Sequence, residues 1–176
     1  APPTISIPNI LTSIASSARF VCTGLTSITI PNSVTSIDSS AFNGCTNLQY
    51  NEFDNAYYLG NSDNPYFALI KAKSTGITSC TINENTKLIG SSAFQNCSGL
   101  TSVTIGDSVT SIGSYAFSGC SKLTSIEFNS TSGWYCTYSS SDWNNKTNGT
   151  YMSVTNTSTN ATYFTDTYKS FYWYKK

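Results

Sequence analysis

Between Leu25 and Cys45 the apolar positions are Leu25, Ile28, Ile30, Val34, Ile37, Ala41, Phe42 and Cys45. The step of two from Ile28 to Ile30 is that of a strand, and Pro31 and Asn32 then turn the chain before the spacing loosens. One unit therefore predicts a short strand, a corner, a second extended segment and a compact return through SSAFNGC. The same order recurs in Ile77, Cys80, Ile82, Ile89, Ala93, Phe94 and Cys97, and in Leu100, Val103, Ile105, Val109, Ile112, Ala116, Phe117 and Cys120. Leu25 and Leu48, Ile77 and Leu100, and Leu100 and Leu123 are each 23 residues apart, whereas Leu48 to Ile77 spans 29. No single unit buries its own apolar side, so the units must stack into a solenoid, here of about five rungs. Thr86 stands where Val34 and Val109 stand, a polar lapse. The first unit is less regular: Ile5, Ile7, Leu11, Ile14, Ala18 and Cys22 fit, but Arg19 sits where Phe belongs and Phe20 is one residue late.

Between Leu48 and Ile77 the return motif is missing. AYYLG and YFALIKA flank NSDNP instead, which predicts a projecting or laterally packed β-hairpin over about 54–76. The insertion reads either as a shield for one flank or as a binding protrusion carrying Tyr57, Tyr58, Tyr66 and Phe67. After Phe128 the repeat stops. Half of the 24 aromatic residues fall from Trp134 onward, ending in FYWYKK. A solenoid's last rung exposes its core, so 129–176 is expected to form a small β-rich cap whose rings cover Leu123, Ile126 and Phe128, leaving 1–128 as the solenoid.

Composition narrows the chemistry. Only 10% of the 176 residues are charged, against roughly 25% in ordinary soluble domains, and 30 Ser, 25 Thr and 17 Asn supply the polar surface. The formal charge is zero, which removes the basic footprint that nucleic acid or anionic lipid requires. No apolar run is long enough to span a bilayer. The opening APPTIS has neither an initiating Met nor a signal peptide, so the chain reads as a mature or excised form. Histidine is absent, which excludes Ser-His-Asp and Cys-His nucleophile activation and removes the commonest transition-metal ligand. The nine acids form no pair that sequence marks for glycosidase chemistry. Cys22, Cys45, Cys97 and Cys120 share one repeat position and Cys80 takes an inward strand position, so they read as small buried hydrophobes. Equivalent residues laid in a line do not converge on a metal. Cys136 stands outside the repeat. The six N-x-S/T sequons are close to the number expected by chance from this composition and carry almost no information on glycosylation.

Outward strand positions read Thr26, Ser27, Thr29; Thr78, Ser79, Thr81; Thr101, Ser102, Thr104; and Thr124, Ser125, Glu127, with Gln49, Tyr50 and Glu52 between the first two sets. Stacked about 4.8 Å apart they would form one hydroxyl-rich face, with Tyr50 and Glu52 its distinctive patch.

The repeat resembles the BspA-type leucine-rich repeat, with its I-P-x-S-V-T-S-I and A-F-x-x-C signatures, over about residues 4–128. The resemblance implies a leucine-rich-repeat solenoid of short parallel strands stacked on one face, to which the chain's own residues add a β-hairpin insertion and a β-rich C-terminal cap. It implies an extracellular or cell-surface setting and adhesion to a host or matrix protein; a glycan is the other candidate partner, and the residues themselves read as non-enzymatic, without cofactor or metal. Tyr50, Glu52, Tyr57, Tyr58, Tyr66, Thr29, Thr81 and Thr104 are the candidate contact residues. The alternative is a stalk-like spacer, which would bury the rings and expose uniform Ser and Thr.

Overall fold

The computed structural model describes residues 4–15 and 23–176; Ala18, Arg19, Phe20 and Cys22 of the first unit lie outside them. Rung one supplies β1 (Thr4–Ser6) and β2 (Ser13–Ile14), and rung two supplies β3 (Ser27–Thr29) and β4 (Ser36–Ile37). The irregular third unit forms β5 (Asn51–Phe53), β6 (Ala56–Leu59) and β7 (Ala68–Ala72). The following rungs give β8 (Leu88–Ile89), β9 (Ser102–Ile105), β10 (Ser111–Ile112) and β11 (Ser125–Phe128). The C-terminal segment forms β12 (Trp134–Thr137), α1 (Ser140–Asn145), β13 (Thr150–Tyr151), α2 (Thr157–Thr162), a π-helical turn at Tyr163–Thr167 and β14 (Tyr172–Lys175).

The repeat period is also the hydrogen-bond period. Ile5 pairs with Ile28, Ile14 with Ile37, Val103 with Ile126 and Ile89 with Ile112, all in parallel register and each 23 residues apart. Thr35, Thr110 and Thr124 donate their N–H groups to the carbonyls of Thr12, Lys87 and Thr101 on the rung before, at 2.8, 2.9 and 3.0 Å. The Thr35 hydroxyl adds a bond of 3.1 Å to the same Thr12 carbonyl. Threonine is thus favoured at this corner because its hydroxyl doubles the link between rungs. The residue before Cys45, Cys97 and Cys120 turns the chain in the left-handed region, with φ of 87° at Gly44, 63° at Asn96 and 77° at Gly119. Only Gly or Asn takes that conformation at little cost, so the sequence alternates between those two.

Of the two expected arrangements of the third unit, a projecting or a laterally packed hairpin, the structure shows the second. β6 and β7 pair antiparallel and stay within the body, because β7 takes the place of the missing second segment and runs parallel to β8, with Ala68 opposite Leu88 and Leu69 opposite Ile89. One eight-stranded sheet results, in the order β13-β12-β14-β10-β8-β7-β6-β5. Both faces of its central strands are covered, while the edge strands β5 and β13 are exposed. Ala56, Tyr58, Leu69, Ile89, Ile112, Trp173 and Cys136 join the core shared with the later rungs. Leu59, Phe67, Ala68, Leu88 and Tyr174 join the core shared with rungs one and two. A sheet buried on both sides reads as continuous apolar sequence, which accounts for YFALI and FYWY.

The same arrangement explains two substitutions in the repeat. Leu88 replaces the serine found at positions 13, 36 and 111; the position is buried in Ser36 and Ser111 as well, and Leu88, 1% exposed, adds its side chain to the second core. Thr86 is fully buried, and its hydroxyl donates to the Tyr66 carbonyl at 3.1 Å, so the polar lapse is satisfied by the hairpin beside it.

The outward hydroxyl face is interrupted. The first strand row divides into β1–β3 and β9–β11, because β5 pairs with β6 and no regular strand forms around Thr81. Single backbone bonds, Gln49 N–H to the Thr26 carbonyl at 2.9 Å and Thr101 N–H to the Thr78 carbonyl at 3.3 Å, link the halves to the units between, so the expected uninterrupted ladder is corrected to two short ones. The C-terminal segment is also less purely β than expected. α2 packs on β11, Asn160 donates to the carbonyls of Ile126 and Val154 at 2.9 Å each, and Phe164 meets Phe117 edge-on at 5.5 Å. Phe128 packs edge-on against Trp134 at 4.9 Å, so aromatic rings do close the last rung.

Candidate functional site

The β5–β6–β7 meander brings the most distinctive exposed side chains together. A two-residue turn, Asp54-Asn55, joins β5 to β6, with Asp54 in the left-handed region at φ 47°. Both residues are anchored to the next rung: the Asp54 carboxylate accepts the Thr81 N–H at 2.5 Å, and the Asn55 amide donates to the Ser79 carbonyl at 2.8 Å. The turn is therefore held rigidly against the solenoid.

Cross-strand register then aligns Glu52, Tyr57 and Lys71 on one face. A bulge beside Tyr57 keeps that residue opposite Lys71 while Tyr58 moves opposite Leu69. The Tyr50 ring lies 5.4 Å from that of Tyr57, tilted by 42°. The Lys71 ammonium sits 4.9 Å from the Tyr50 centroid and 5.7 Å from the Tyr57 centroid, within cation–π range of both. Lys73 approaches Tyr57 at 5.9 Å and pairs with Glu52 at 2.7 Å. The hydrogen bond to Glu52 holds the Lys73 ammonium above its ordinary pKa, while burial pushes the Tyr50 phenol up to about 12. Both groups keep their neutral-pH charge states. The result is a half-exposed aromatic platform edged by one acid and two amines.

Of the eight candidate residues, Tyr50, Glu52 and Tyr57 belong to this platform. Tyr58 does not: it is fully buried on the opposite face, its hydroxyl accepts the Asn83 N–H at 3.3 Å, and desolvation raises its pKa. Tyr66 goes with it, half-buried and edge-on to Tyr58 at 5.6 Å and to Phe53 at 5.9 Å. Strand alternation separates the two groups. Thr29 and Thr104 are exposed on the two different short ladders, and Thr81 is exposed beside the Asp54 turn. Lys71 and Lys73 escape a reading based on rings and hydroxyls. The signal for them is the alternation in KAK, which places two amines on one side of a strand.

The BspA type Leucine rich repeat region profile matches in 6 copies across residues 3–68 and 72–173. The chain belongs to the BspA-type leucine-rich-repeat family. It is 31% identical to a leucine rich cell surface protein from Faecalibacterium prausnitzii over 71% of this chain and 41% of that one, with a TM-score of 0.42. It is 25% identical to a leucine rich repeat protein of T. pallidum over 70% of this chain and 57% of that one, at 0.34. A leucine-rich repeat protein from Bacteroides ovatus gives 26% identity over 72% of this chain and 33% of that one, at 0.31. The chain thus spans less than two thirds of each of these proteins. No curated protein matches it significantly.

In this BspA-type solenoid the cysteine row is structural. Cys80, Cys97, Cys120 and Cys136 are buried free thiols, and Cys45 is buried as well. Cys120 donates to the Phe94 carbonyl at 3.0 Å and Cys97 approaches the Ser74 carbonyl at 3.8 Å, each reaching the preceding rung. Burial pushes the Cys80 and Cys120 thiols up to about 12 and the Cys136 thiol up to about 11, which suppresses the nucleophilic thiolate. Cys22 lies outside the described residues.

Proposed function

We propose that this BspA-type chain is a non-enzymatic binding module, displayed at a bacterial cell surface or secreted, which contacts a host or matrix protein or a glycan. The observation that carries this reading is the Tyr50–Tyr57–Lys71 platform with its Glu52–Lys73 edge. Tyrosines with a rigid backbone and nearby charges give large contact area at small entropic cost, the composition of binding hot spots. Rings with an acid and amines at the edge also suit a sugar's apolar face and hydroxyls. The flanking ladders, with Thr29 and Thr104 outward, would supply neutral hydrogen bonds at the rim.

A second reading, a spacer that holds another domain outward, is favoured by the burial of Tyr58 and the core packing of Tyr66. The test is binding of the intact chain to immobilised fibronectin, fibrinogen, collagens, mucins and common glycans, with a Tyr57→Ala, Lys71→Ala double variant alongside. Saturable binding that weakens at least about tenfold in the folded variant supports the platform. Silence across the panel from a folded chain turns the reading to the spacer.

A further inference from the structure

A second site lies away from the platform and shares no residue with it. Between rung two and the β8–β10 part of the large sheet is an open cleft of about 530 Å³. That volume is within the range of small-ligand sites, on the order of 300–1,000 Å³. Its apolar lining comes from Val34, Phe67 and Leu88, all buried. Leu88 is the residue that departs from the repeat serine, so one wall of the cleft exists because of that substitution. Among the described residues that line it, the charged groups are Lys87 and Lys146, and none is acidic.

Lys146 reaches the cleft from the C-cap of α1, where its backbone is left-handed at φ 53°. Its ammonium donates to the Lys175 carbonyl at 3.2 Å, which leaves donors on the same nitrogen for another acceptor. Burial lowers its pKa, so the cation is partly stripped of water without a neighbouring carboxylate to compensate. Ser111 adds an independent sign. It lines the same cleft, is 1% exposed, and its hydroxyl has no hydrogen-bond partner. A buried hydroxyl left unpaired costs roughly 1–3 kcal/mol, and an acceptor placed in the cleft would relieve that cost.

We propose that this cleft binds an organic carboxylate with an apolar body, the head taken by Lys146, Lys87 and Ser111 and the stem lying on Val34, Phe67 and Leu88. The shared chemistry can come from a free aromatic acid or from the C-terminus of a peptide, and the test separates them. The intact chain is titrated by calorimetry with N-acetyl-phenylalanine, its C-terminal amide, a pentapeptide ending in free Phe, and the amidated pentapeptide. Both acids are expected to bind saturably and about tenfold or more tighter than their amides, because a charge-assisted bond is lost. Tighter binding of the free-ended pentapeptide than of N-acetyl-phenylalanine assigns the ligand to chain termini, and equal affinity assigns it to small acids.

Lys87→Glu changes an exposed side chain and is expected to weaken the acids by a similar factor with unchanged thermal melting. Lys146→Gln is expected to do the same. No saturation by either acid at millimolar concentration, equal affinity for acids and amides, or unaltered acid binding in a folded Lys87→Glu, Lys146→Gln double variant would each overturn the assignment.

Discussion

Single residues show where the repeat obeys local rules and where the large sheet overrides them. By the repeat alone, Leu88→Ser restores the consensus and should be harmless. In the structure Leu88 is 1% exposed within the second core, so Leu88→Ser is expected to cost about 3 kcal/mol in denaturant melts. Gly119→Ala tests the left-handed corner, where φ is 77° and an added Cβ would come within 2.3 Å of the Asn96 side-chain oxygen. It is expected to cost about 1–2 kcal/mol, whereas Asn96→Gly is expected to be nearly neutral. Ionisable residues set an alkaline limit. The Cys80 and Cys120 thiols rise from 9.0 to about 12, the Cys136 thiol to about 11, and the Tyr50 phenol from 10.0 to about 12. Above pH 9 the unfolded chain releases these protons and the folded chain keeps them, so folding loses stability as pH rises. Chemical denaturation midpoints are therefore expected to hold level up to about pH 8.5 and to fall between about 9 and 12. Stability that rose through that window would contradict the assigned burial.

At the scale of elements, the regular rungs were legible because their period of 23 is at once a hydrophobic and a hydrogen-bond period. Ile28, Val103 and Ile126 face inward in β3, β9 and β11 as their alternation with Ser and Thr requires. The third unit was legible as antiparallel strands, but the sequence left open whether they project or pack laterally. NSDNP and its apolar flanks announce a hairpin, yet propensity alone does not say which neighbour β7 will join. The clue lay in FALI and YWY, whose lack of alternation marks strands with no wet face. It was joined by Leu88, an apolar residue where the repeat elsewhere carries serine. Without those, Tyr58 looked available and is buried. The carbonyls of Phe67 and Leu69 accept the N–H groups of Lys87 and Gly90 at 2.9 Å each. Removing 56–72 would leave these donors unpaired and uncover Leu88, so the deletion is expected to abolish cooperative unfolding of the remaining solenoid, as followed by circular dichroism. A well-folded deletion variant would make the hairpin an appendage.

On the scale of the whole molecule, the large sheet is the element that both cores share. Rungs one and two cover one of its faces, later rungs cover the other, and β14 extends it with Trp173 and Tyr174 on opposite sides. That shared sheet is what fixes the platform of Tyr50, Tyr57 and Lys71 in place, and a rigid platform is what the binding reading needs. Native-state hydrogen exchange tests this most directly. If the sheet unites the molecule, the amides of Ala72, Gly90, Gly113 and Lys175 should exchange with one common, slow opening, as slowly as those within β9 and β11. Exchange of β6 and β7 at loop-like rates, while the regular rungs stay protected, would contradict the account and leave the platform on a mobile flap.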